Sequence, residues 1–206
     1  MYQDEWNEVA DEVNFNLSID LHHFSHEVTN EKRILDYGCG YGRITKQLWD
    51  YGYKNIVGVD SSQKMIERGN KEHPYLELSA VSGSTLSFPD HSFDAVVACA
   101  VFTCITSQKA REAQFNELSR ILKPGGLLHM VEFCKEPSKA FTSGFGVPML
   151  HSTSQELLSL VNTMHVTHEE VIETNTMGSR KASSYRLFAR KSLDKARNPT
   201  ATPPVR

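Results

Sequence analysis

Three glycines at alternate positions, Gly38, Gly40 and Gly42, follow the apolar run Ile34-Leu35-Asp36-Tyr37 and give way at once to a helical pattern from Arg43. Glycine lets a backbone turn sharply and lets a ligand approach where a Cβ would clash. The helix that follows presents unpaired N–H groups in its first turn. A plain strand-to-helix turn needs one glycine, so three at this spacing point to a bound ligand. The third glycine comes one residue too early for the dinucleotide fingerprint G-x-G-x-x-G, which argues against a pyrophosphate turn and a nicotinamide cofactor. The second chemical signal is Asp60, which ends Ile56-Val57-Gly58-Val59-Asp60. An acid about 20 residues past a glycine loop is placed to accept from two ribose hydroxyls. Alone it could equally cap a helix from Ser62 onward; beside the glycine loop it reads as a ligand contact.

These residues need a scaffold, and the hydrophobic period supplies one. Short β-rich runs at 33–37, 55–59, 76–81, 94–101, 127–133, 166–174 and 184–190 alternate with helical patterns at 43–51, 63–71, 108–122 and 154–164. Two more helical patterns open the chain, Trp6, Val9, Ala10, Val13 and then Leu17, Leu21, Phe24, Val28. Ser107 is placed to cap the third of the later helices, and Ser152 or Ser154 the fourth. Lys123-Pro124-Gly125-Gly126 should end the third and turn the chain into the next strand. Alternation of this kind implies a parallel sheet covered on both faces, because parallel neighbours require crossovers. The last two strands, joined by about ten residues with little helical pattern, should pair antiparallel at the edge. We expect one domain over residues 1–191: an N-terminal helical cap (1–30), a ligand-binding core (31–133), a lid loop (134–152), and a C-terminal helix with an edge hairpin (153–191). Residues 192–206 read as a disordered tail.

Composition narrows the function. Lys plus Arg is 22 against 25 for Asp plus Glu, a net charge of −3 that disfavours a protein binding many phosphates. Charge is uneven: residues 1–31 carry eight acids and no Lys or Arg, while 180–206 carry eight bases and one acid. A tail this short and sparsely charged reads as a solvated terminus. No apolar run approaches the ~20 residues needed to span a bilayer, and the acidic start does not resemble a signal peptide. Cys39, Cys99, Cys104 and Cys134 form no CxxC pair, as expected for reduced thiols of a cytoplasmic protein with no metal site.

The chain resembles the class I S-adenosylmethionine-dependent methyltransferases, in particular the small-molecule group. Four pieces carry the resemblance in order: Asp36-Tyr-Gly-Cys-Gly-Tyr-Gly, Asp60, Leu86-Ser-Phe-Pro-Asp-His-Ser-Phe-Asp-Ala-Val, and Leu118-Ser-Arg-Ile-Leu-Lys-Pro-Gly-Gly. The resemblance covers roughly residues 31–133, and more weakly the rest up to Arg190. It implies a Rossmann-like doubly wound α/β sheet of seven strands, mostly parallel with an antiparallel last strand, and helices on both faces. It also implies S-adenosyl-L-methionine as cofactor. Asp36 and the backbone at Gly38, Cys39 and Gly40 would lie against its sugar and methionine portion, and Asp60 would accept from the ribose. Ser61 and Met65 would flank the adenine, Ser84 and Thr85 would meet its edge, and the carbonyl near Ala100 would hold the amino group. Ser84 departs from the acid often found at its position, which implies weaker adenine recognition.

The family's enzymes acting on exocyclic amines of bases often carry a Pro-Pro-aromatic signature after the fourth strand. Here that place reads Cys99-Ala-Val-Phe-Thr-Cys-Ile, without proline, so a small-molecule acceptor methylated at O, N or S is expected rather than nucleic acid. Non-catalytic S-adenosylmethionine-binding subunits or sensors, and tRNA or protein methyltransferases, are the alternatives; a homodimer is left open. Phe141, Phe145, Met149 and His151 among glycines 144 and 146 suggest either an adaptable apolar lid over the strand edge or a hydrophobic loop packed on the sheet. A base is needed only if the acceptor holds its proton at neutral pH. His151 is the candidate catalytic residue, beside His22, His23, His26 and Tyr2. His22 and His26 are one turn apart but lack the acid that an HExxH metal motif would supply. His129 reads as packed against a helix.

Overall fold

The computed structural model describes residues 3–83 and 85–193. Two short helices open the chain, α1 (Gln3–Glu8) and α2 (Leu21–Glu27). The alternating part follows as β1 (Ile34–Tyr37), α3 (Arg43–Tyr51), β2 (Ile56–Asp60), α4 (Gln63–Glu72), β3 (Glu77–Ala80) and β4 (Phe93–Cys99). A 3-10 turn (Phe102–Cys104), α5 (Gln108–Ile121) and β5 (Leu122–Cys134) come next. The chain then forms β6 (Lys139–Thr142), β7 (Pro148–His151), α6 (Ser154–Leu160), β8 (Met164–Asn175) and β9 (Lys181–Lys191). Seven strands make one sheet in the order β3-β2-β1-β4-β5-β9-β8. The first five are parallel; β9 enters antiparallel to β5, and β8 pairs antiparallel with β9 at the edge.

The central strands are apolar on both faces, and the period-2 rule sorts their side chains. Leu35, Tyr37, Val57, Val59, Val96 and Ala98 face a cluster that includes Phe115, Leu118, Leu157 and Leu160 of α5 and α6. Ile34, Ile56, Ala95 and Val97 face the opposite way, onto Phe24 of α2 and Ile44 and Leu48 of α3. The sheet's two faces thus hold the main cores, and the strand tips that carry Tyr37, Asp60 and Cys99 are left at one edge.

Several expected boundaries move, each for a local reason. The pattern over 6–13 is helical only through Glu8. Ser107 caps α5 as expected, accepting from the Ala110 N–H. Neither Ser152 nor Ser154 caps α6; Thr153 does, in a capping box with Glu156, while the Ser152 hydroxyl is taken by Arg111 at 2.6 Å. That helix ends at Leu160, not 164, because Met164 already pairs with Lys191. Lys123-Pro124-Gly125-Gly126 does not precede β5 but bulges within it: the register jumps from Phe93–Leu122 to Ala95–Leu127. The expected lid loop contains a two-stranded hairpin, β6 with β7, with Gly146 at φ +81° in its turn. The expected tail, from residue 194 onward, lies outside the described residues, as do Tyr2 and Ser84.

His129 is fully buried in β5, stacked on Phe188 at 3.9 Å. Its Nε2 accepts from the Asp20 N–H at 3.1 Å, so the proton sits on Nδ1 and is donated to the Leu187 carbonyl. Burial pushes its pKa down from 6.5 to about 3. The unfolded chain therefore binds a proton that the folded one refuses. Its contribution to stability is complete above pH 6.5 and is lost as pH falls toward 3, by roughly 1.4 kcal/mol per pH unit. Urea titrations between pH 7 and 4 should show a steep loss that His129→Gln, a neutral replacement, makes shallower. Equal slopes in the two proteins would remove His129 as the cause.

Candidate functional site

The glycine loop crosses the tips of β1 and β2. The Gly38 and Cys39 N–H groups both donate to the Val59 carbonyl, at 2.8 and 3.0 Å, which folds the loop back over β2. Gly38 has φ +72°, and a Cβ there would stand 2.5 Å from Val101 Cγ2, so only glycine fits. Asp60 is the keystone. One carboxylate oxygen accepts from the Gly40 N–H at 2.9 Å and the other from the Ser62 N–H at 2.8 Å, joining the glycine loop to the start of α4. Burial pushes its carboxyl pKa up, against the backbone N–H groups that pull it down. Asp36, 1% exposed, has its pKa raised to about 6 by burial, opposed by the Thr45 hydroxyl that donates to it at 2.6 Å.

These groups share one cavity. Asp36, Gly38, Cys39, Gly40, Asp60, Ser61, Met65 and Ala100 all line it. Thr85 does not: it is exposed, on a segment drawn toward α5, where Glu117 accepts from the Leu86 N–H at 2.6 Å. Ser84 lies outside the described residues. Ala100 stands at φ +60°, a left-handed conformation uncommon for a residue with a Cβ, and its N–H donates to the Val131 carbonyl at 2.8 Å. The cavity measures about 80 Å³, well under the ~300–1,000 Å³ of ligand pockets in general. The N-terminal segment makes it small. Trp6 and Phe15 form part of the wall; Phe15 stacks on Tyr41 at 5.6 Å and would press on any Cβ at Gly40. Arg68 holds that segment down by donating to the Ala10 and Val13 carbonyls at 2.9 and 2.7 Å.

Three functional side chains escaped the sequence reading. Arg43 lines the cavity and donates to the Leu17 carbonyl, but its buried Nε has no hydrogen-bond partner. A guanidinium beside the cavity with one N–H unpaired suits an anionic ligand group. Glu132 is fully buried in β5, and its carboxylate accepts from the Val101, Phe102 and Thr103 N–H groups and the Thr103 hydroxyl, all at 2.8–2.9 Å. Burial raises its carboxyl pKa while those four donors lower it. Buried Arg111 grips the same turn from the other end, donating to the Phe102 and Ile105 carbonyls at 2.9 and 2.6 Å. An acid at the N–H end and a guanidinium at the carbonyl end match the dipole of the 3-10 turn. A lone acid within Leu127-Leu-His-Met-Val-Glu132 was the available hint for Glu132; nothing local marked its partners.

Residues 35–130 match a family model described as a methyltransferase domain. A solved S-adenosylmethionine-dependent methyltransferase from Methanosarcina mazei superposes with a TM-score of 0.78 at 25% identity, covering 87% of this chain and all of that one. Residues 35–130 thus match a methyltransferase domain, in the class I, Rossmann-like fold of S-adenosylmethionine-dependent methyltransferases. Two curated relatives are also methyltransferases. A sterol 24-C-methyltransferase from Aspergillus fumigatus is 31% identical over 120 residues, covering 54% of this chain and 31% of that protein. A demethylmenaquinone methyltransferase from Beutenbergia cavernae is 31% identical over 115 residues, covering 56% of this chain and 46% of that protein. The chain thus spans less than half the length of either.

The residues around the cavity, though not its present volume, suit that cofactor: glycines at positive φ with no room for a Cβ, a buried and a half-buried carboxylate, and the Arg43 guanidinium. Among the described residues no His, Cys, Asp and Glu cluster could hold a metal, and no helix is long and apolar enough to cross a membrane. His22 and His26 stack on each other, and His23 packs on His168 and Phe188. His151 is half-buried, stacked on Phe133 at 5.3 Å with the edge of Phe141 at 4.8 Å. It lines a second, open groove rather than the cofactor cavity; Phe133, Met149 and Met177 form the wall common to both. Burial, with Lys135 and Lys139 nearby, lowers its pKa below 6.5.

Proposed function

We propose that the chain transfers a methyl group from S-adenosylmethionine to an O, N or S atom of a small molecule. The observation that carries the reading is Asp60, whose half-buried carboxylate fastens the glycine loop to α4 while lining the cavity. Sterol and demethylmenaquinone methyltransferases, at 31% identity, support a small molecule; an eEF1A lysine and N-terminal methyltransferase from Mus musculus, at 26%, is the macromolecular counterpart. Bound in this cavity, S-adenosylmethionine supplies a methyl group already activated on a sulfonium. The chain's own work is then to hold and align. Asp60 takes the ribose hydroxyls on lone pairs not used by the backbone, and Ser61 and Met65 border the adenine. Asp36 faces the ammonium and Arg43 Nε the carboxylate of the methionine portion. Alignment and exclusion of water account for ~7–11 kcal/mol in well-oriented reactions. The cap (1–30) and the lid (134–152) provide that exclusion, the first by closing over Gly40 and the second along the shared wall. His151, neutral at pH 7, keeps a ring nitrogen free to take a proton from a hydroxyl acceptor in the groove.

The test is to incubate the protein and its Arg43→Met variant with methyl-labelled S-adenosylmethionine and a small-molecule extract. Label should enter the small-molecule fraction. Arg43→Met should raise the Kd for S-adenosylhomocysteine by roughly tenfold or more, the loss expected for one charge-assisted hydrogen bond. Label confined to RNA or protein would overturn the small-molecule reading.

A further inference from the structure

The groove beside the cofactor cavity is large, about 1150 Å³, and its two ends differ in chemistry. Its inner wall is Phe133, Met149 and Met177, shared with the cavity, and Phe141 adds a further ring. Its outer rim carries Lys135, Lys139, Arg180 and Lys181, all exposed. Among the described residues none of these four cations is in an ion pair, whereas Arg68, Arg120, Arg186 and Arg190 all are. Only two carboxylates line the groove, Glu136 and Glu173, and Glu136 already accepts from the Ser154 N–H.

Strand register sets the spacing. Phe141 lies opposite Met149 and Lys139 opposite His151, two residues farther along the hairpin. At ~3.3 Å per residue the cation stands roughly 7 Å beyond the shared wall, on the same face as Phe141 because side chains alternate. Arg180 ends the β8–β9 connection and Lys181 begins β9, so two separate chain segments converge positive charge on one rim. Burial first, and then the charges of Lys135 and Lys139, disfavour protonation of His151 beside this rim. Unpaired cations beyond an aromatic and thioether wall match a ligand that is apolar at one end and anionic at the other.

We propose that this groove holds the methyl acceptor and selects an amphipathic anion, with an apolar ring system against Phe133, Phe141 and Met149 and an anionic group met by Lys139, Arg180 and Lys181. The proposal rests on the methyltransferase reading above and adds the substrate class. Neutral molecules of the same shape forgo the rim, and cations are repelled by it.

The test uses calorimetry on the full chain, first with S-adenosylhomocysteine and then, in its presence, with three matched probes. These are 6-hydroxy-2-naphthoate, its uncharged methyl ester, and the corresponding naphthylmethylammonium. The carboxylate should bind about tenfold tighter than the ester, and the ammonium more weakly than both. In a Lys139→Ser/Arg180→Ser/Lys181→Ser variant the carboxylate should fall to the level of the ester, while the ester and S-adenosylhomocysteine keep their affinities. All three replaced residues are exposed, so the fold is expected to hold. Ester binding equal to carboxylate binding, or a preference that survives the triple variant, overturns the proposal. So does S-adenosylhomocysteine binding with no probe binding, which leaves the methyltransferase reading intact. Absence of S-adenosylhomocysteine binding defeats both at once.

Discussion

Asp60→Ala should bind S-adenosylhomocysteine roughly 10- to 150-fold more weakly than the parent chain, a loss on the order of 1.5–3 kcal/mol, as for hydrogen bonds to a charged group. Two effects add in the same direction. The ribose hydroxyls lose their charged acceptor, and the Gly40 and Ser62 N–H groups, now held at 2.9 and 2.8 Å, are left without one. The glycine loop is then no longer fastened to α4, so part of the loss is the cost of re-forming it on binding. Asp60→Asn retains one oxygen and presents an NH2 where the other N–H points, and should fall between the two. Titration calorimetry on the three proteins measures this directly. Unchanged affinity in the alanine variant would remove Asp60 from the cofactor site.

Glu132→Ala should cost on the order of 3–5 kcal/mol of stability, in the range reached when a buried charged group with several partners is deleted. Three backbone N–H groups and one hydroxyl lose their common acceptor in a place water cannot enter. Glu132→Gln, which keeps an oxygen toward Val101 and Phe102, should cost much less. The turn it holds follows Ala100 and Val101, both on the cofactor cavity, so the alanine variant should also lose cofactor affinity. Urea unfolding with and without S-adenosylhomocysteine reads both effects. A loss under about 1 kcal/mol in Glu132→Ala would mean the turn holds without the carboxylate.

The sequence by itself determined the alternating sheet, the glycine loop and Asp60. These depend on neighbours in the chain: a period of two or 3.6 residues, a positive φ that calls for glycine, an acid at a strand end. Gly38, Gly40 and Asp60 could therefore be placed together before any contact was known, and the family resemblance added Asp36. The β8–β9 pairing was legible for the same reason, through a connection with no helical pattern. What only the tertiary structure decided is made of contacts between distant segments. Phe15 settles on Gly40 and Tyr41 because Arg68, on α4, holds carbonyls of the N-terminal segment. Glu132 reaches donors about 30 residues earlier in the chain, and Arg111 ties the same turn to Ser152. His151 could be ascribed to a lid from sequence, but that it faces a separate groove follows from a hairpin whose partners pair across the turn at Gly146. The cationic rim is assembled from two segments some 40 residues apart, Lys139 at the start of β6 and Arg180–Lys181 at the start of β9, and no pattern within either one specifies the other. Local rules fix which backbone shapes and faces a segment prefers; which faces meet is set by packing of the whole chain, and there the groove beside Phe133 and Met149 is formed.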